Sequence, residues 1–370
     1  MKKVMLVFGT RPEAVKMCPL VNELKKRSKF EIIVCVTGQH KEMLEQVLDI
    51  FNVIPDYNLN IMKDRQTLFD VTINILNGMK KVLQLEKPDL VLVHGDTTTT
   101  FATMLACFYM NVKVGHVEAG LRTYDVHSPY PEEFNRQAVS IVSDFNFAPT
   151  NVSRDNLLKE GRDESKVYVT GNTGIDALST TVKEEYANKE LDWINDGDKL
   201  ILLTAHRREN LGKPMENIFR AIKRVIDEND NVKVIYPIHK NPVVRELAKK
   251  IFKDDDKIHI IEPLNPVDFH NFMSKSYFIM TDSGGVQEEA PSLGKPVLVL
   301  RDTTERPEGV NAGTLKLVGT NERDVYSECI KLLNNKYEYD KMSKAANPYG
   351  DGHASEKIAN ILEMKLCSDN

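Results

Sequence analysis

The sequence is poor in cysteine, and its cysteines form no recognisable structural motif. There are five, an odd number, at positions 18, 35, 107, 329 and 367, and no two are arranged as Cys-x-x-Cys. This pattern argues against both a disulfide framework and a zinc cluster. The His-Glu-x-x-His spacing of a metal-binding helix is also absent, so we expect no metal ion.

Long apolar runs and an excess of charge of one sign are missing as well. No segment approaches the roughly 20 apolar residues of a membrane span, and the apolar start, Val4–Phe8, ends too early for a signal peptide. The 54 acidic residues nearly balance the 49 basic ones, whereas a nucleic-acid binder normally carries a basic stripe. A hydrophobic content of 41% excludes disorder. We therefore expect a soluble, cytoplasmic protein that binds neither nucleic acid nor a membrane.

What the sequence does contain is a series of short apolar segments rich in β-branched residues. Most lack apolar–polar alternation, which is typical of parallel strands covered on both faces. They are Val4–Phe8, Ile32–Val36, Leu90–Val93, Val112–Val117, Val167–Val169, Leu200–Thr204, Val232–Tyr236, Ile258–Ile261, Phe278–Thr281 and Val297–Leu300. Helix-length segments with apolar residues at i, i+3 and i+4 lie between them. This alternation predicts an α/β fold with parallel sheets.

The predicted strands fall into two groups, separated by a polar stretch at residues 183–199. Each group is large enough for one sheet. We therefore predict two Rossmann-like, doubly wound domains, residues 1–170 and 171–354, with a hinge near Gly171. The final helix, within residues 355–370, could pack on either domain. Ligands of such sheets bind beyond the carboxyl ends of the strands, so we expect a site in a cleft between the domains.

In the first half, cationic residues follow the first predicted strand. Arg11 stands at the start of a helix between Gly9 and Pro12, and Lys16 lies one turn further along. A helix N-terminus with added cations is suited to bind an anion. The structural alternative is a plain helix cap with a solvated arginine.

Three carboxylates, Asp96, Glu118 and Glu132, come from consecutive loops at the same edge of this sheet. Crowded acids raise the pKa values of one another, so the group favours proton transfer near neutral pH. The structural alternatives are helix capping by Asp96 and compensation of a helix dipole by Glu132 or its neighbour Glu133.

In the second half, the residues that follow the strands suit a phosphorylated ligand. His206 precedes two arginines, and the Ser283-Gly284-Gly285 loop lets backbone N–H groups approach a phosphate. Glu289 could bind both hydroxyls of a ribose, and Arg306 supplies a further cation. Gly-x-Gly-x-x-Gly after the first strand and a P-loop are both absent, so nicotinamide binding is not indicated. A nucleotide-diphosphate site is favoured.

Seven segments, in order along nearly the whole chain, resemble the non-hydrolysing UDP-N-acetylglucosamine 2-epimerases. They are residues 8–13, 94–99, 116–123, 131–136, 204–210, 282–291 and 301–309. The resemblance implies a GT-B-type fold and the reversible conversion of UDP-N-acetylglucosamine to UDP-N-acetylmannosamine, without a cofactor. It also implies anti elimination of UDP as the C2 proton leaves. The resulting 2-acetamidoglucal is then protonated on the opposite face as UDP adds again.

The resemblance also assigns residues. Asp96, Glu118 and Glu132 match the family's acidic catalytic set, and His206 matches its essential histidine. The matching nucleotide contacts are Arg11, Lys16, Phe269 (near the uracil), Ser283, Gly284, Gly285, Glu289 and Arg306. Which acid removes the proton from which epimer stays open. So does the use of the product in a cell-wall polymer, a capsule or a glycoprotein.

Two further properties of the family are expected here. Its members are usually homodimers, and many bacterial ones are activated by a second UDP-N-acetylglucosamine beside the active site. The residues that fit this second site are Gln39, Glu42, Arg65, Arg207 and His239. Glu42 stands where a bacterial relative often has glutamine, and a carboxylate near a pyrophosphate predicts weaker activation.

Three other functions share some of these features. A GT-B glycosyltransferase would have the same nucleotide-binding residues but would transfer the sugar to an acceptor. A hydrolysing epimerase would release free N-acetylmannosamine and UDP. A sugar-nucleotide sensor without activity would not need the three acids and the histidine, all of which are present.

Overall fold

The computed structural model of this chain describes residues 1–38, 41–63, 65–253, 255–304 and 306–367, with the side chains of residues 41–43 and 208 excepted. Strands and helices alternate as the apolar segments predict from the first strand to the last, after which three helices follow one another. Within the same residues, no helix is long and apolar enough to cross a membrane.

The strands are β1 Lys2–Phe8, β2 Phe30–Val36, β3 Tyr57–Asn58, β4 Leu90–His94, β5 Lys113–Val117, β6 Phe145–Ala148, β7 Val167–Val169, β8 Lys199–Thr204, β9 Val232–Pro237, β10 Ile258–Ile261, β11 Phe278–Thr281, β12 Val297–Val299 and β13 Leu315–Leu317. The helices are α1 Arg11–Lys25, α2 Lys41–Ile50, α3 Leu68–Glu86, α4 Thr98–Tyr109, α5 Glu132–Val142, α6 Asn151–Lys159, α7 Thr173–Thr181, α8 Lys213–Asp227, α9 Pro242–Phe252, α10 Pro266–Lys275, α11 Gly284–Glu289, α12 Pro307–Ala312, α13 Glu322–Asn334, α14 Lys336–Ser343 and α15 Ala354–Leu366.

The first seven strands form one parallel sheet in the order β3-β2-β1-β4-β5-β6-β7. Its apolar side chains pack on both faces, against α1, α2 and α15 on one side and α3, α4 and α5 on the other. The strand order reverses between β1 and β4. Such a switch point leaves a crevice beyond the carboxyl ends of the strands, and the loops after β1 and β4 carry Arg11 and Asp96 to it.

The last six strands form a second parallel sheet in the order β10-β9-β8-β11-β12-β13. One large apolar cluster joins these strands to α8, α9 and α13. Here the order reverses between β8 and β11, so the loops after these two strands lie side by side. They carry His206 and the Ser283-Gly284-Gly285 loop. The prediction of two Rossmann-like, doubly wound domains is confirmed.

The boundary between the two units differs from the predicted one. Unit 1 consists of residues 1–180 and 349–370, and unit 2 of residues 181–348, whereas the sequence pattern predicted the boundary after residue 170. The reason is α7, whose Ala177 belongs to the core of the first sheet. In the same helix the Asp176 carboxylate accepts hydrogen bonds from the N–H groups of Ala354 (3.2 Å) and Ser355 (2.7 Å) at the start of α15. Gly171, where we expected a hinge, therefore lies inside unit 1.

The C-terminal helix α15 packs on unit 1, one of the two alternatives that the sequence left open. Its buried residues Ile358, Ala359, Leu362 and Leu366 join the core beside α1. The backbone of Asn172 also donates a hydrogen bond to the carbonyl of residue 349 (2.8 Å). The end of the chain is thus part of the first Rossmann-like unit.

Candidate active site

The loop after β1 is held in place by Glu13, in the first turn of α1. Its Oε2 accepts hydrogen bonds from the N–H groups of Gly9 (3.0 Å) and Thr10 (2.8 Å), and its Oε1 accepts one from the Thr97 hydroxyl (2.6 Å). Glu13 is almost fully buried, and burial raises its pKa. A Cβ at Gly9 would lie only 2.0 Å from Thr37 Oγ1, so this close packing requires glycine. Glu13 thereby joins the two loops at the switch point of the first sheet.

Arg11 is the first residue of α1 and follows the loop that Glu13 holds in place. Among the residues that the structure describes, its guanidinium makes no hydrogen bond or ion pair. Partial burial lowers the pKa of Arg11, yet an arginine stays protonated in proteins. A partly desolvated cation at a helix N-terminus is suited to bind an anion.

Glu118 lies at the carboxyl end of β5 and is surrounded by polar groups. It forms an ion pair with Lys16, and Asn172 Nδ2 donates a hydrogen bond to its Oε2 (2.8 Å). Donors on a carboxylate favour its charged form. The backbone of Glu118 has a φ of 65°, a left-handed conformation that non-glycine residues rarely adopt and that clusters at functional sites. Lys16, expected among the nucleotide contacts, is thus placed on a candidate catalytic acid.

Two histidines lie behind Glu118 and are uncharged at neutral pH. Burial lowers the pKa of His94 to about 4 and that of His116 to about 3. His94 Nε2 lies 3.7 Å from Glu118 Oε2, and His116 Nε2 donates a hydrogen bond to the carbonyl of Gly95 (2.7 Å). Neither ring therefore supplies a positive charge to Glu118, whereas Lys16 does.

Asp96 follows β4 and pairs with Arg136 of α5, with 2.5 Å between Oδ2 and the guanidinium nitrogen. Burial raises the pKa of Asp96, and the neighbouring charges of Glu118 and Glu132 raise it further, while Arg136 opposes them. Glu118 and Glu132 are therefore both close enough to influence Asp96. Asn135 Nδ2 also donates a hydrogen bond to the Asp96 carbonyl (2.9 Å), which fixes the loop.

Glu132 and Glu133 both begin α5, but their surroundings differ. Glu133 is fully buried and accepts hydrogen bonds from the N–H groups of Thr123 and Tyr124, each at 3.0 Å. It also lies 3.3 Å from a guanidinium nitrogen of Arg136. Glu132 is partly exposed and, among the described residues, has no hydrogen-bond partner. Glu133 is therefore a structural acid, and Glu132 is the one available to a ligand.

In unit 2, Asp282 organises the loop after β8. Its Oδ2 accepts hydrogen bonds from the N–H groups of His206 and Arg207, both at 2.8 Å, and from Asn210 Nδ2 at 3.1 Å. The Asp282 carbonyl accepts another from Arg207 Nε (3.0 Å). His206 and Arg207, predicted for different sites, are thus held by one buried residue.

The imidazole of His206 is stacked on that of His239, which follows β9. The ring centroids are 5.2 Å apart and the planes are inclined by 8°. Burial lowers the pKa of His206, as do the charges of His239 and Arg207, whereas Asp282 raises it. The predicted catalytic histidine therefore contacts a predicted second-site residue directly.

The Ser283-Gly284-Gly285 loop leads into α11 beneath the guanidinium of Arg306. A Cβ at Gly284 would lie 2.6–2.9 Å from three atoms of that guanidinium. Arg306 is largely buried and forms an ion pair with Glu288 across 2.5 Å. Gly284 therefore allows the close approach of Arg306. This role is separate from the phosphate contact predicted for the Gly284 N–H group.

The other two predicted nucleotide contacts are Glu289 and Phe269. Glu289 Oε2 lies 3.5 Å from His270 Nε2, and His270 Nδ1 shares a hydrogen bond with the Thr181 hydroxyl (2.7 Å). Phe269 is partly exposed, next to His270 in α10. The carboxylate and the aromatic ring that would contact ribose and base thus come from α11 and α10 of the same unit.

Of the remaining second-site residues, only Arg65 can be placed. Gln39 lies outside the described residues, and so does the side chain of Glu42. Arg65 is exposed and has a φ of 57°. Across the described residues, no group of three His, Cys, Asp or Glu side chains is arranged to hold a metal ion.

Three residues that organise these loops were not singled out from the sequence. They are Glu13, Arg136 and Asp282. Each lies within one of the seven family-like segments. The available signal was a charged residue directly after a buried strand for Asp282 and in a first helical turn for Glu13, whereas Arg136 lies further along α5. Their partners are distant in sequence, by 84 residues between Glu13 and Thr97, so only the fold identifies their roles.

The chain is similar to known proteins along nearly its whole length. The family model described as UDP-N-acetylglucosamine 2-epimerase matches residues 22–363. The UDP-N-acetylglucosamine 2-epimerase of Bacillus subtilis (strain 168) is 61% identical over 360 residues, which cover 97% of this chain and 94% of that protein.

Two solved structures of such enzymes extend the similarity to three dimensions. The enzyme from Neisseria meningitidis bound to UDP-GlcNAc has a TM-score of 0.91 at 49% identity, covering 97% of this chain and 99% of that one. The enzyme from Methanocaldococcus jannaschii in complex with UDP-GlcNAc and UDP has a TM-score of 0.81 at 37% identity, with the same coverage. This chain belongs to the UDP-N-acetylglucosamine 2-epimerase family and is an enzyme of the isomerase class.

Proposed function

We propose that the chain catalyses the reversible epimerisation at C2 of UDP-N-acetylglucosamine to UDP-N-acetylmannosamine without hydrolysis. The observation that carries this proposal is the group of three interacting carboxylates, Asp96, Glu118 and Glu132, at the switch point of the first sheet. The relatives that bind UDP-GlcNAc or UDP support the substrate.

The proposed reaction is an anti elimination followed by re-addition. Removal of the C2 proton leaves the electron pair of the C2–H bond in a C1–C2 double bond, while the C1–O bond breaks and UDP departs with the electron pair of the C1–O bond. The products are UDP and 2-acetamidoglucal. Re-addition of UDP at C1 and protonation of C2 on the opposite face give the epimer. Because the two faces of C2 are involved, more than one proton-handling group is needed.

The surroundings of the acids suggest how they divide this work. Glu118, which receives two donors from Lys16 and Asn172, is stabilised as a carboxylate and is suited to accept a proton. Asp96, whose pKa is raised by burial, is suited to hold one. Glu132 has no partner among the described residues and completes the set as a group open to the sugar.

Departure of UDP needs stabilisation of its diphosphate as negative charge develops. We assign this role to Arg11, Arg306 and the N–H groups of the Ser283-Gly284-Gly285 loop, since fixed donors and cations stabilise such charge strongly. Glu289 would bind the ribose hydroxyls and Phe269 the uracil. His206, stacked on His239, would act on the sugar or the leaving phosphate.

Incubation with UDP-N-acetylglucosamine in D2O, followed by NMR at C2, tests the proposal. We expect deuterium at C2 of both UDP-linked sugars, with trace 2-acetamidoglucal and UDP. Free N-acetylmannosamine would instead indicate a hydrolysing epimerase. Unlabelled substrate would refute the proposal and favour a glycosyltransferase or a sensor. Glu118→Gln is the matched control, because it keeps the size of the side chain but removes the base.

We propose, further, that a second UDP-N-acetylglucosamine activates the enzyme through Gln39, Glu42, Arg65, Arg207 and His239, and that Glu42 weakens this effect. The contact of His239 with His206 supports coupling between the sites. Initial rates with UDP-N-acetylmannosamine alone should rise when a little UDP-N-acetylglucosamine is added. Full, hyperbolic activity without the addition would overturn this part.

We also propose that the enzyme works as a homodimer. Several large apolar side chains on α3, α4 and α5 are more than half exposed, namely Phe69, Ile73, Phe108, Tyr109 and Ile141. They lie on the three helices that cover one face of the first sheet, and apolar side chains that gather into a patch often mark protein interfaces. Light scattering after size exclusion should give twice the chain mass of 42.0 kDa. A monomer at micromolar concentration would contradict the proposal.

A further inference from the structure

Asp282 is a buried carboxylate whose two oxygens have different surroundings. It has no exposed surface. Its Oδ2 receives three donors, the N–H groups of His206 and Arg207 and the side-chain amide of Asn210. Its Oδ1 is also buried and, among the residues that the structure describes, has no hydrogen-bond partner. A buried carboxylate oxygen without a donor is costly, so this orientation calls for an explanation.

The imidazole of His206 lies beside that oxygen. Asp282 Oδ1 lies 3.5 Å from His206 Nδ1, a few tenths of an ångström beyond an ordinary hydrogen bond. Catalytic hydrogen bonds are often this long in free enzymes and shorten in the complex with substrate. We propose that Asp282 is the positioning residue of His206: it holds Nδ1–H toward its own Oδ1, so that Nε2 is the nitrogen presented to the ligand.

Two residues, Asp282 and His239, fix the orientation of the His206 imidazole. Asp282 fixes the backbone on which His206 stands through the N–H groups of His206 and Arg207, and its Oδ1 selects the tautomer. The parallel stack on His239 limits rotation out of the ring plane. A carboxylate on one imidazole nitrogen also stabilises the protonated ring, and it is the usual means of orienting a catalytic histidine.

Among the described groups around His206, Asp282 is the one that favours protonation of its ring. Burial, His239 and Arg207 all lower the pKa of His206, and Asp282 is the group that raises it. Tyr236 of β9 also faces this loop, but a tyrosine is neutral at neutral pH, burial raises its pKa further, and its hydroxyl donates to the Ala205 carbonyl (2.6 Å). Without the Asp282 charge, the remaining described influences on His206, namely burial, His239 and Arg207, all disfavour its protonation.

The test is Asp282→Asn, which keeps the shape and an acceptor for the two backbone N–H groups. The new amide NH2 would face His206 Nδ1 and reverse the tautomer. The catalytic consequence rests on the proposed function: we expect kcat to fall by about 10²- to 10³-fold, with the KM for UDP-N-acetylglucosamine changed little. In the full chain without substrate, an NMR titration of the His206 ring should show a lower pKa than in the wild type.

Two further variants keep the test decisive. Asp176→Asn removes another buried carboxylate that accepts two backbone N–H groups, so it controls for lost stability and should leave kcat and the His206 titration unchanged. His206→Ala with and without Asp282→Asn should have equal kcat, since Asp282 acts through that ring. Should Asp282→Asn melt like Asp176→Asn yet keep kcat within about threefold of the wild type, or leave the His206 titration unmoved, the proposal is overturned. The NMR titration tests the role of Asp282 even if the wild type proves not to be an epimerase.

Discussion

Replacing Gly284 with alanine tests how the second unit positions a cation. The added Cβ would lie 2.6 Å from one guanidinium nitrogen of Arg306 and 2.7 Å from the central carbon. To restore an ordinary contact of 3.4 Å, the guanidinium must retreat by about 0.8 Å. Its ion pair with Glu288, at 2.5 Å, ties the Nε side of the group, so the terminal nitrogens have to move.

The expected loss follows from that displacement. A hydrogen bond from a cation to a phosphate is worth about 1.5–3 kcal/mol, so Gly284→Ala should weaken UDP binding by about 10- to 150-fold. Gly284 has no positive φ and begins a helix. Alanine therefore needs no change of backbone conformation, and the contact with Arg306 is its main cost. A thermal melt separates any loss of stability from the loss of affinity.

Isothermal titration with UDP measures the effect, and a thermal melt checks the fold. Arg306→Met serves as the reference, because a variant without the guanidinium has nothing left to displace. In the Arg306→Met background, Gly284→Ala should change the Kd of UDP by less than about twofold. If Gly284→Ala alone binds UDP within about threefold of the wild type, the Arg306–Gly284 contact does not position the nucleotide.

Three other predictions concern unit 1. Glu118→Gln should reduce C2 deuterium exchange by about 10²- to 10⁴-fold while UDP affinity by calorimetry persists; turnover like that of the wild type would remove Glu118 from the mechanism. Arg136→Met leaves the buried Glu133 without its cation, which should cost about 3–5 kcal/mol, visible as a lower urea midpoint; an unchanged midpoint would show that the pair is not stabilising. Ending the chain before Ala354 removes α15 from the core, so unit 1 should melt at a lower temperature than unit 2, and an unaltered melt would contradict this packing.

Much of the fold follows from local pattern. The apolar segments predicted β1, β2, β4 and β8 to within a few residues, because strands covered on both faces are continuously hydrophobic. β6, Phe145–Ala148, was missed because a polar Asn146 interrupts it, although this residue is buried. β3 has only two residues and is a strand because it pairs with β2, a long-range contact that no local pattern indicates.

The domain boundary also depends on a long-range contact that local pattern does not indicate. The end of β7 and the polar stretch after it suggested a division at residue 170. α7 nevertheless belongs to unit 1, because Ala177 is buried there and Asp176 caps α15. That contact joins residues 179 positions apart, so the pattern around residue 170 carries no trace of it.

For the site, the charged residues that follow each strand were enough by themselves to indicate proton transfer beside a phosphate-binding unit. Chemistry of this kind is visible in sequence because parallel strands bring their carboxyl ends to one edge, whatever the details of packing. Which side chains pair with one another, in contrast, cannot be predicted from the sequence in this way. That Lys16 pairs with Glu118, that Asp282 rather than Arg207 faces His206 Nδ1, and that Gly284 makes room for Arg306 depend on distances of a few ångströms between segments far apart in the chain. Only tertiary packing sets those distances, and they decide which acid is charged, which nitrogen faces a ligand and where the cation stands.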